Sequence, residues 1–168
     1  MPGAAGNLAD HIRDSVLNVS FPGHYAYATP TNVSGGGNMS VLFYNVKKLS
    51  FISVKTLVAT VTDFNLYKFR YNDPNLGLTH DTTFLYVVVN HTQSGSSSIT
   101  RDSQVSQEMS ALRAMFPRFP NLINMGDFNT ANRQQLTRGQ YLGTTHGIAG
   151  LVHVLRQISG NSKTPGSV

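Results

Sequence analysis

Two polar side chains that follow a short apolar run have the chemistry to act on a phosphate group. Asp127 and Asn129 lie two residues apart, beside Gly126, and follow the run of residues 122–125. Such a run is typical of a buried strand, so the pair is predicted to lie where that strand opens into a loop. A carboxylate there can activate a water, and a carboxamide can hold a phosphate oxygen. Both residue types also form tight turns by bonding their own backbone, so a structural role is the alternative.

A histidine follows a second predicted strand. Residues 83–90 are nearly all apolar and β-branched or aromatic, as expected of a central strand buried on both faces, and His91 comes directly after them. Polar groups at the same ends of neighbouring strands are how open α/β sheets build sites, so His91, Asp127 and Asn129 are predicted to lie close together. The alternative for His91 is a hydrogen-bonded residue at the strand boundary.

The remaining pattern predicts one mixed α/β sheet rather than repeated strand–helix–strand units. Apolar spacing predicts helices over residues 8–19, with Asn7 as a cap, over 102–116, with Asp102 as a cap, and over 147–159. Further strands are predicted at residues 39–46, 50–54, 56–61, 64–71 and 121–125, and the strand at 64–71 is expected to have one solvent-exposed face. Residues 160–168 are expected to be disordered.

Composition narrows the classes of protein and of site. The 168 residues suffice for one domain with a real core. A net charge of +5 fits either a mild attraction to polyanions or an ordinary basic surface, and only Lys47 and Lys48 are adjacent bases. The absence of cysteine excludes a disulfide framework, a thiolate zinc site and a cysteine nucleophile. No stretch predicts a membrane span, and the first residues do not predict a signal peptide, which leaves localisation open.

The order of these motifs resembles the endonuclease/exonuclease/phosphatase family, which has the deoxyribonuclease I-like fold. The resemblance lies in residues 86–94, then Arg101, then a helix, then residues 124–129. Residues 40–49 resemble the family strand that precedes these motifs, and residues 9–18 resemble its early helix. The resemblance therefore runs from about residue 7 to about residue 133.

The resemblance implies an α/β sandwich of two packed mixed sheets with outer helices, and metal-dependent hydrolysis of phosphoesters, nuclease-like or phosphodiesterase-like. It implies that His91 contacts the scissile phosphate and that Asn129 donates to a phosphate oxygen. Asp127 would orient or deprotonate the attacking water and bind Mg²⁺ or Mn²⁺. Arg101 would support the site or bind the substrate, and the alternative is a solvated residue at the start of a helix.

Several family positions have no counterpart here. The family places a catalytic Asn and a metal-binding Glu on strands ahead of the early helix, and a catalytic Asp and a Ser-Asp-His strand near its end. The single glutamate, Glu108, lies in a predicted helix at a position that does not match, and no Asp follows Asp127. His146 and His153 lack a preceding Ser-Asp. Many relatives also carry a Lys near the position of Gln93, and this chain has none there.

These departures predict a partial domain over residues 7–133, incomplete at both ends. A divergent segment, residues 134–168, with one helix and a disordered tail would follow. Impaired phosphoester hydrolysis is then one interpretation. A non-catalytic module that binds phosphate, nucleic acid or a protein is the second, and an inactive gene fragment, whose full-length relatives are often secreted, is the third. The substrate could be DNA, RNA, a phospholipid headgroup or a sugar phosphate.

Overall fold

The computed structural model describes residues 4–37, 39–79, 82–95, 98–118 and 120–129. The divergent segment 134–168, with its predicted helix at 147–159 and its tail, lies outside the described residues, as do His146 and His153. Within the described ranges, no helix is both long enough and apolar enough to cross a bilayer.

Two sheets and three helices make up the described chain. The elements are α1 (Ala4–Ile12), a π-helical turn (Arg13–Leu17), β1 (Tyr25–Tyr27), β2 (Phe43–Asn45), β3 (Leu49–Ala59), β4 (Asp63–Tyr71), α2 (Leu76–Thr79), β5 (Phe84–His91), α3 (Ser98–Met115) and β6 (Leu122–Asp127). The larger sheet has the strand order β3-β4-β5-β6, and all its pairs are antiparallel except β5 with β6, which is parallel. The strands β1 and β2 form a separate antiparallel pair.

The segment that follows the first helix differs from the prediction. Helical structure begins at Ala4 and ends in a π-helical turn in which the Asn18 amide donates to the Arg13 carbonyl at 2.8 Å, so Asn7 lies within the helix and does not cap it. The Asn18 side chain then makes two hydrogen bonds with the Tyr25 backbone, of 2.9 and 3.0 Å. This contact holds β1, a three-residue strand that is too short for its period to be read from the sequence.

The prediction of two strands at residues 50–54 and 56–61 was wrong, because β3 is continuous. Its pairing with β4 shifts register twice, between Phe51 and Ser53 and between Thr56 and Val58. Each shift is a bulge that interrupts the alternation of side chains between the two faces. The interrupted alternation imitates the end of one strand and the start of another.

The prediction of a solvent-exposed face on β4 was also wrong. Most of β4 is buried on both faces: Leu66 belongs to one core cluster, and Tyr67 and Phe69 belong to another. The ammonium of Lys68 lies 4.1 Å from the centroid of the Phe84 ring. A lysine can cover apolar surface with its methylenes and stack its charge on a ring, so its presence in a strand does not require a wet face.

The core lies on both faces of the four-stranded sheet. On the face that packs against α3, here the helix face, Leu66 and Val88 of the sheet pack with Val105, Met109 and Leu112 of the helix. On the opposite face, here the small-sheet face because β1 and β2 cover it, Tyr67, Phe69 and Val87 of the sheet pack with Ala28, which follows β1. Burial of each such large apolar side chain contributes about 1.5–3 kcal/mol to folding. The helix α3 starts at Ser98, so Asp102 lies inside it rather than at its cap.

The strands β5 and β6 approach closely at one glycine. Gly126 has a φ of 146°, and it pairs with Asn90. A methyl group added there would lie 1.8 Å from the Asn90 carbonyl oxygen and 2.7 Å from its side-chain oxygen. The glycine of the Gly-Asp-Phe-Asn motif is therefore required by the strand pairing itself.

We expect Gly126→Ala to destabilise the fold by about 3 kcal/mol, because the added carbon meets backbone that cannot move without breaking the pairing. Chemical denaturation monitored by circular dichroism measures the free energy of unfolding. Gly37→Ala is the matched control: Gly37 is exposed, and an added Cβ finds nothing within 4 Å. Equal costs for the two variants would contradict this account.

Candidate active site at the ends of β5 and β6

Parallel pairing places His91 directly opposite Asp127. These residues are the last of β5 and β6, and they are register partners. The pairing continues one residue further, where the Thr92 amide donates to the Asp127 carbonyl at 3.0 Å. Partners in a parallel pair project from the same face of the sheet. The sequence-based expectation that these two residues lie close together agrees with this geometry.

The face that carries His91 and Asp127 follows from strand alternation. Val87 belongs to the core on the small-sheet face and Val89 packs against it, so His91 projects from that same face. His91 is half-buried, and Asp127 is exposed. The backbone of His91 is fixed from β4's side, because the Thr62 hydroxyl donates to its carbonyl at 2.6 Å. The carboxylate is thus open to solvent beside an imidazole on a fixed backbone.

The backbone after β6 turns back, so that Asn129 lies at the same strand ends as His91 and Asp127. Its backbone amide donates to Asp127 Oδ1 at 2.9 Å, and its side-chain Nδ2 donates to the Thr92 carbonyl at 2.8 Å. Its φ is 45°, a left-handed conformation that asparagine tolerates better than most residues. Asp127 and Asn129 therefore do form the tight turn that was the structural alternative. That turn also brings Asn129 to the end of β5, beside His91.

Arg101 is buried beneath the loop that follows β5, and it does not face solvent. Its side chain is 1% exposed, and Nη1 donates to the carbonyls of Gln93 and Gly95 at 3.1 and 2.7 Å. Gln104, one turn further along α3, accepts from the Gln93 amide at 2.8 Å and donates to the Thr60 hydroxyl at 2.7 Å. The geometry favours the supporting role for Arg101. Gln104 also supports the loop after β5, and this role could not be predicted because a glutamine in a helix carries no distinctive sequence pattern.

A second polar cluster lies beside His91 on the small-sheet face, at the start of β4. Asp63 accepts hydrogen bonds from the Thr31 hydroxyl at 2.5 Å and from the amides of Val33 and Ser34 at 2.7 and 2.8 Å. The hydroxyls of Thr31 and Thr56 also reach Asn65 Oδ1, at 2.8 and 2.9 Å. The cluster pins the loop of residues 31–34 next to the end of β5.

The charge of Asp63 is favoured by this cluster. Burial alone would raise the pKa of the carboxyl group, but the hydrogen bonds from Thr31, Ser34 and Val33 outweigh it and lower the pKa below the ordinary 3.8. The role of Asp63 could not be predicted from the sequence, because its partners lie about 30 residues earlier in the chain and are mostly backbone groups. An Asp at a strand start, followed by Asn two residues later, was the only local signal.

The donors at this corner fit a divalent ion only in part. Within the described residues, no group of three or more His, Cys, Asp or Glu side chains surrounds a common point. Asp127 offers one carboxylate, of which Oδ1 already accepts the Asn129 amide. Mg²⁺ in proteins often takes one or two carboxylates, with waters and substrate phosphate oxygens as its other ligands. Asp127 therefore fits an ion that arrives with a phosphate, and not a fully protein-built metal site.

The adjacent bases lie at the far end of the sheet. Lys47 and Lys48 precede β3, whereas the site lies where β3 ends, so roughly 30 Å of strand separates them. At that distance in physiological salt, their field at the site is largely screened. They do not contribute to the electrostatics of the corner that holds His91 and Asp127.

We expect Asp63→Asn to lower the free energy of unfolding by about 2 kcal/mol at pH 7, because a charged acceptor of three hydrogen bonds is replaced by an amide. The folded pKa is lowered, so this contribution is complete above pH 3.8 and is lost as pH falls through the folded pKa. Denaturation curves between pH 7 and pH 3 should show the gap between wild type and variant closing at low pH. Asp73→Asn is the control, because Asp73 is half-buried and accepts the Asn75 amide in an exposed hydrogen bond of 2.8 Å. A gap that widens on acidification would contradict the assignment.

Comparison with known proteins supports the fold. No family model matches the chain, and no curated protein matches it. Among solved structures, the chain is similar to the catalytic domain of human Nocturnin, which was solved with a bound sulfate anion. Sequence identity is 13%, the TM-score is 0.53, and the match covers 80% of this chain and 53% of that one, so the chain spans about half of that domain's length. The chain has the mixed α/β architecture, with packed sheets and few helices, of a partial deoxyribonuclease I-like fold, as the sequence predicted.

Proposed function

We propose that this chain acts on phosphoesters, as a nuclease-like or phosphodiesterase-like hydrolase. The observation that carries the proposal is the register that sets His91 against Asp127 on one face at the carboxyl ends of adjacent parallel strands. The turn that folds Asn129 back onto Thr92 adds a third polar group at the same corner. The fold similarity to a Nocturnin catalytic domain supports the fold on which this site is built.

In the proposed reaction, Asp127 accepts a proton from the attacking water. Its carboxylate is exposed, and the Asn129 amide holds Oδ1, which leaves Oδ2 to orient the water. The water oxygen bonds to phosphorus as the bond from phosphorus to the leaving oxygen breaks, and the leaving oxygen takes a proton from solvent. Charge that develops on the phosphoryl oxygens requires donors that are already in place.

His91 and Asn129 are the proposed donors. The imidazole N–H of His91 donates to a phosphoryl oxygen, and its backbone is held by Thr62 and by strand pairing. The Asn129 carboxamide has two N–H groups, of which one donates to the Thr92 carbonyl. The second is proposed to donate to the phosphate. Holding these groups in place before substrate binds is the main contribution that a protein makes to such a displacement.

Asp127 is proposed to be the protein ligand of any Mg²⁺ or Mn²⁺ ion that would arrive with the substrate phosphate, and its carboxylate would then be shared between that ion and the attacking water. Such an ion would neutralise charge on the phosphoryl oxygens. The chain's own part is to keep one Asp127 oxygen free of backbone contacts and to present it beside His91. Substrate class beyond the phosphoester is left to the loops around the site.

The sharpest test compares two aspartates that each accept a hydrogen bond from the backbone amide two residues later. Asp127 accepts the amide of residue 129 at 2.9 Å, and Asp73 accepts the amide of Asn75 at 2.8 Å, and both bonds are exposed. We expect Asp127→Ala to lower the rate of cleavage of plasmid DNA and of a bis-aryl phosphodiester by at least about 100-fold, as removal of a catalytic base does. We expect Asp73→Ala to retain the wild-type rate with Mg²⁺ or Mn²⁺ present.

Equal losses in the two variants would assign the effect to a lost turn and would contradict the catalytic role. Absence of cleavage by the wild-type chain, together with DNA binding that weakens as salt increases, would support the non-catalytic binding module instead. An aggregated chain with neither property would support the gene fragment.

A metal titration tests the proposed ligand without relying on turnover. We expect Mn²⁺ binding, followed by electron paramagnetic resonance, to be weak for the chain alone and to tighten when a non-hydrolysable phosphodiester is added, because one carboxylate is a poor anchor by itself. Asp127→Asn should remove the tightening, whereas Asp73→Asn should not. Tight binding by the chain alone that survives Asp127→Asn would show that the ion is held elsewhere.

A further inference from the structure

The single glutamate of the chain is buried in the protein interior. Glu108 is on α3, is 0% exposed and projects onto the helix face of the sheet. Its Oε1 accepts from Asn124 Nδ2 at 2.6 Å, and its Oε2 accepts from Asn90 Nδ2 at 3.3 Å. Asn90 Nδ2 also donates to Asn124 Oδ1 at 2.8 Å. One carboxylate and two carboxamides, all buried, therefore join α3, β5 and β6.

The position of this network along the strands links it to the site. Asn90 directly precedes His91, and Asn124 lies three residues before Asp127. Strand alternation places the network on the helix face and the site residues on the small-sheet face. The network thus lies beneath the site, on the other side of the same two strand ends.

A buried carboxylate is a costly way to fill a core. Replacement of buried polar groups by apolar side chains of similar volume is often neutral or stabilising, so stability alone gives little reason for a glutamate here. Directional hydrogen bonds, in contrast, specify one arrangement of the strands, since a slip of one residue moves every side chain to the other face. The close contact of Gly126 with Asn90 leaves the same pair of strands little freedom to adjust.

We propose that Glu108 is a positioning residue: by bonding Asn90 and Asn124, it sets β5 against β6 so that His91 stays opposite Asp127. This inference rests on the proposed function only for its effect on catalysis. Its structural part concerns the strand ends and can be measured without any substrate.

Two backbone amides report on the two ends of the strand pair. The Thr92 amide donates to the Asp127 carbonyl at 3.0 Å at the site end, and the Tyr86 amide donates to the Asn121 carbonyl at 2.8 Å at the far end. In Glu108→Gln, one acceptor becomes an N–H₂ group that faces an Asn N–H₂ group. We expect the Thr92 amide to exchange with solvent about tenfold faster, and the Tyr86 amide to change by less than about threefold.

A double variant exchanges the carboxylate and the carboxamide between α3 and β6 and so restores the hydrogen bonds. In Glu108→Gln with Asn124→Asp, the carboxylate moves to β6, accepts from the new glutamine and still accepts from Asn90. We expect this double variant to regain wild-type protection of the Thr92 amide. If Glu108→Gln yields no folded protein, the double variant decides: native Thr92 protection supports the proposal, and failure to fold or fast exchange overturns it.

Val105→Ala is the control for loss of stability alone, since Val105 is buried on the same helix one turn earlier and does not take part in the network. We expect it to speed exchange at Thr92 and Tyr86 equally and to leave kcat of the folded protein unchanged. The same equal pattern in Glu108→Gln would overturn the positioning role.

Kinetics then connect the network to turnover. We expect Glu108→Gln to lower kcat on a bis-aryl phosphodiester by on the order of 10- to 100-fold with little change in KM, and the double variant to recover most of it. Unchanged kcat with faster Thr92 exchange would overturn the catalytic part of the proposal. A wild-type chain without activity would contradict the proposed function, while the exchange data would still decide whether Glu108 positions the strands.

Discussion

Two parallel neighbours in a sheet cannot be joined by a tight turn, so the chain must cross from the end of one strand to the beginning of the next. Between β5 and β6 the helix α3 makes this crossing, and it covers the sheet on the way. This constraint puts the carboxyl ends of both strands at the same edge. The register of that one pair decides whether an imidazole and a carboxylate meet, and the turn at Asn129 depends on the same edge.

The two faces of the sheet contribute differently to this edge. On the small-sheet face, Asp63 holds the loop of residues 31–34 beside the site through backbone amides and a hydroxyl. On the helix face, Glu108 holds the strands to one another through two carboxamides. Both side chains are buried and hydrogen-bonded, as buried polar groups generally are. Asp127, in contrast, is exposed, so a dissolved molecule can reach its carboxylate.

Much of this arrangement could be predicted from the sequence where the signal was local. The apolar runs before His91 and Asp127 marked two strands correctly, and their order with an intervening helix marked one edge. The bulges in β3 could not be predicted, because a bulge changes only the phase of the alternation. The short strand β1 was missed because three residues define no period. Asp63, Gln104 and Glu108 were missed as supporting groups because their partners lie 11 to 44 residues away in the chain.

The inward face of α3 is regular in spacing and mixed in chemistry. Arg101, Gln104 and Glu108 occupy the same stripe as Val105, Met109 and Leu112, and all six side chains are buried. Its polar members bond the loop after β5 and the ends of both strands. If β5 and β6 alone were transplanted into another scaffold, the loop carbonyls and the two strand carboxamides would lose these partners. The smallest segment that could be transplanted with the site intact is therefore β5, α3 and β6 together. Changes to the inward face of α3 would also change the site.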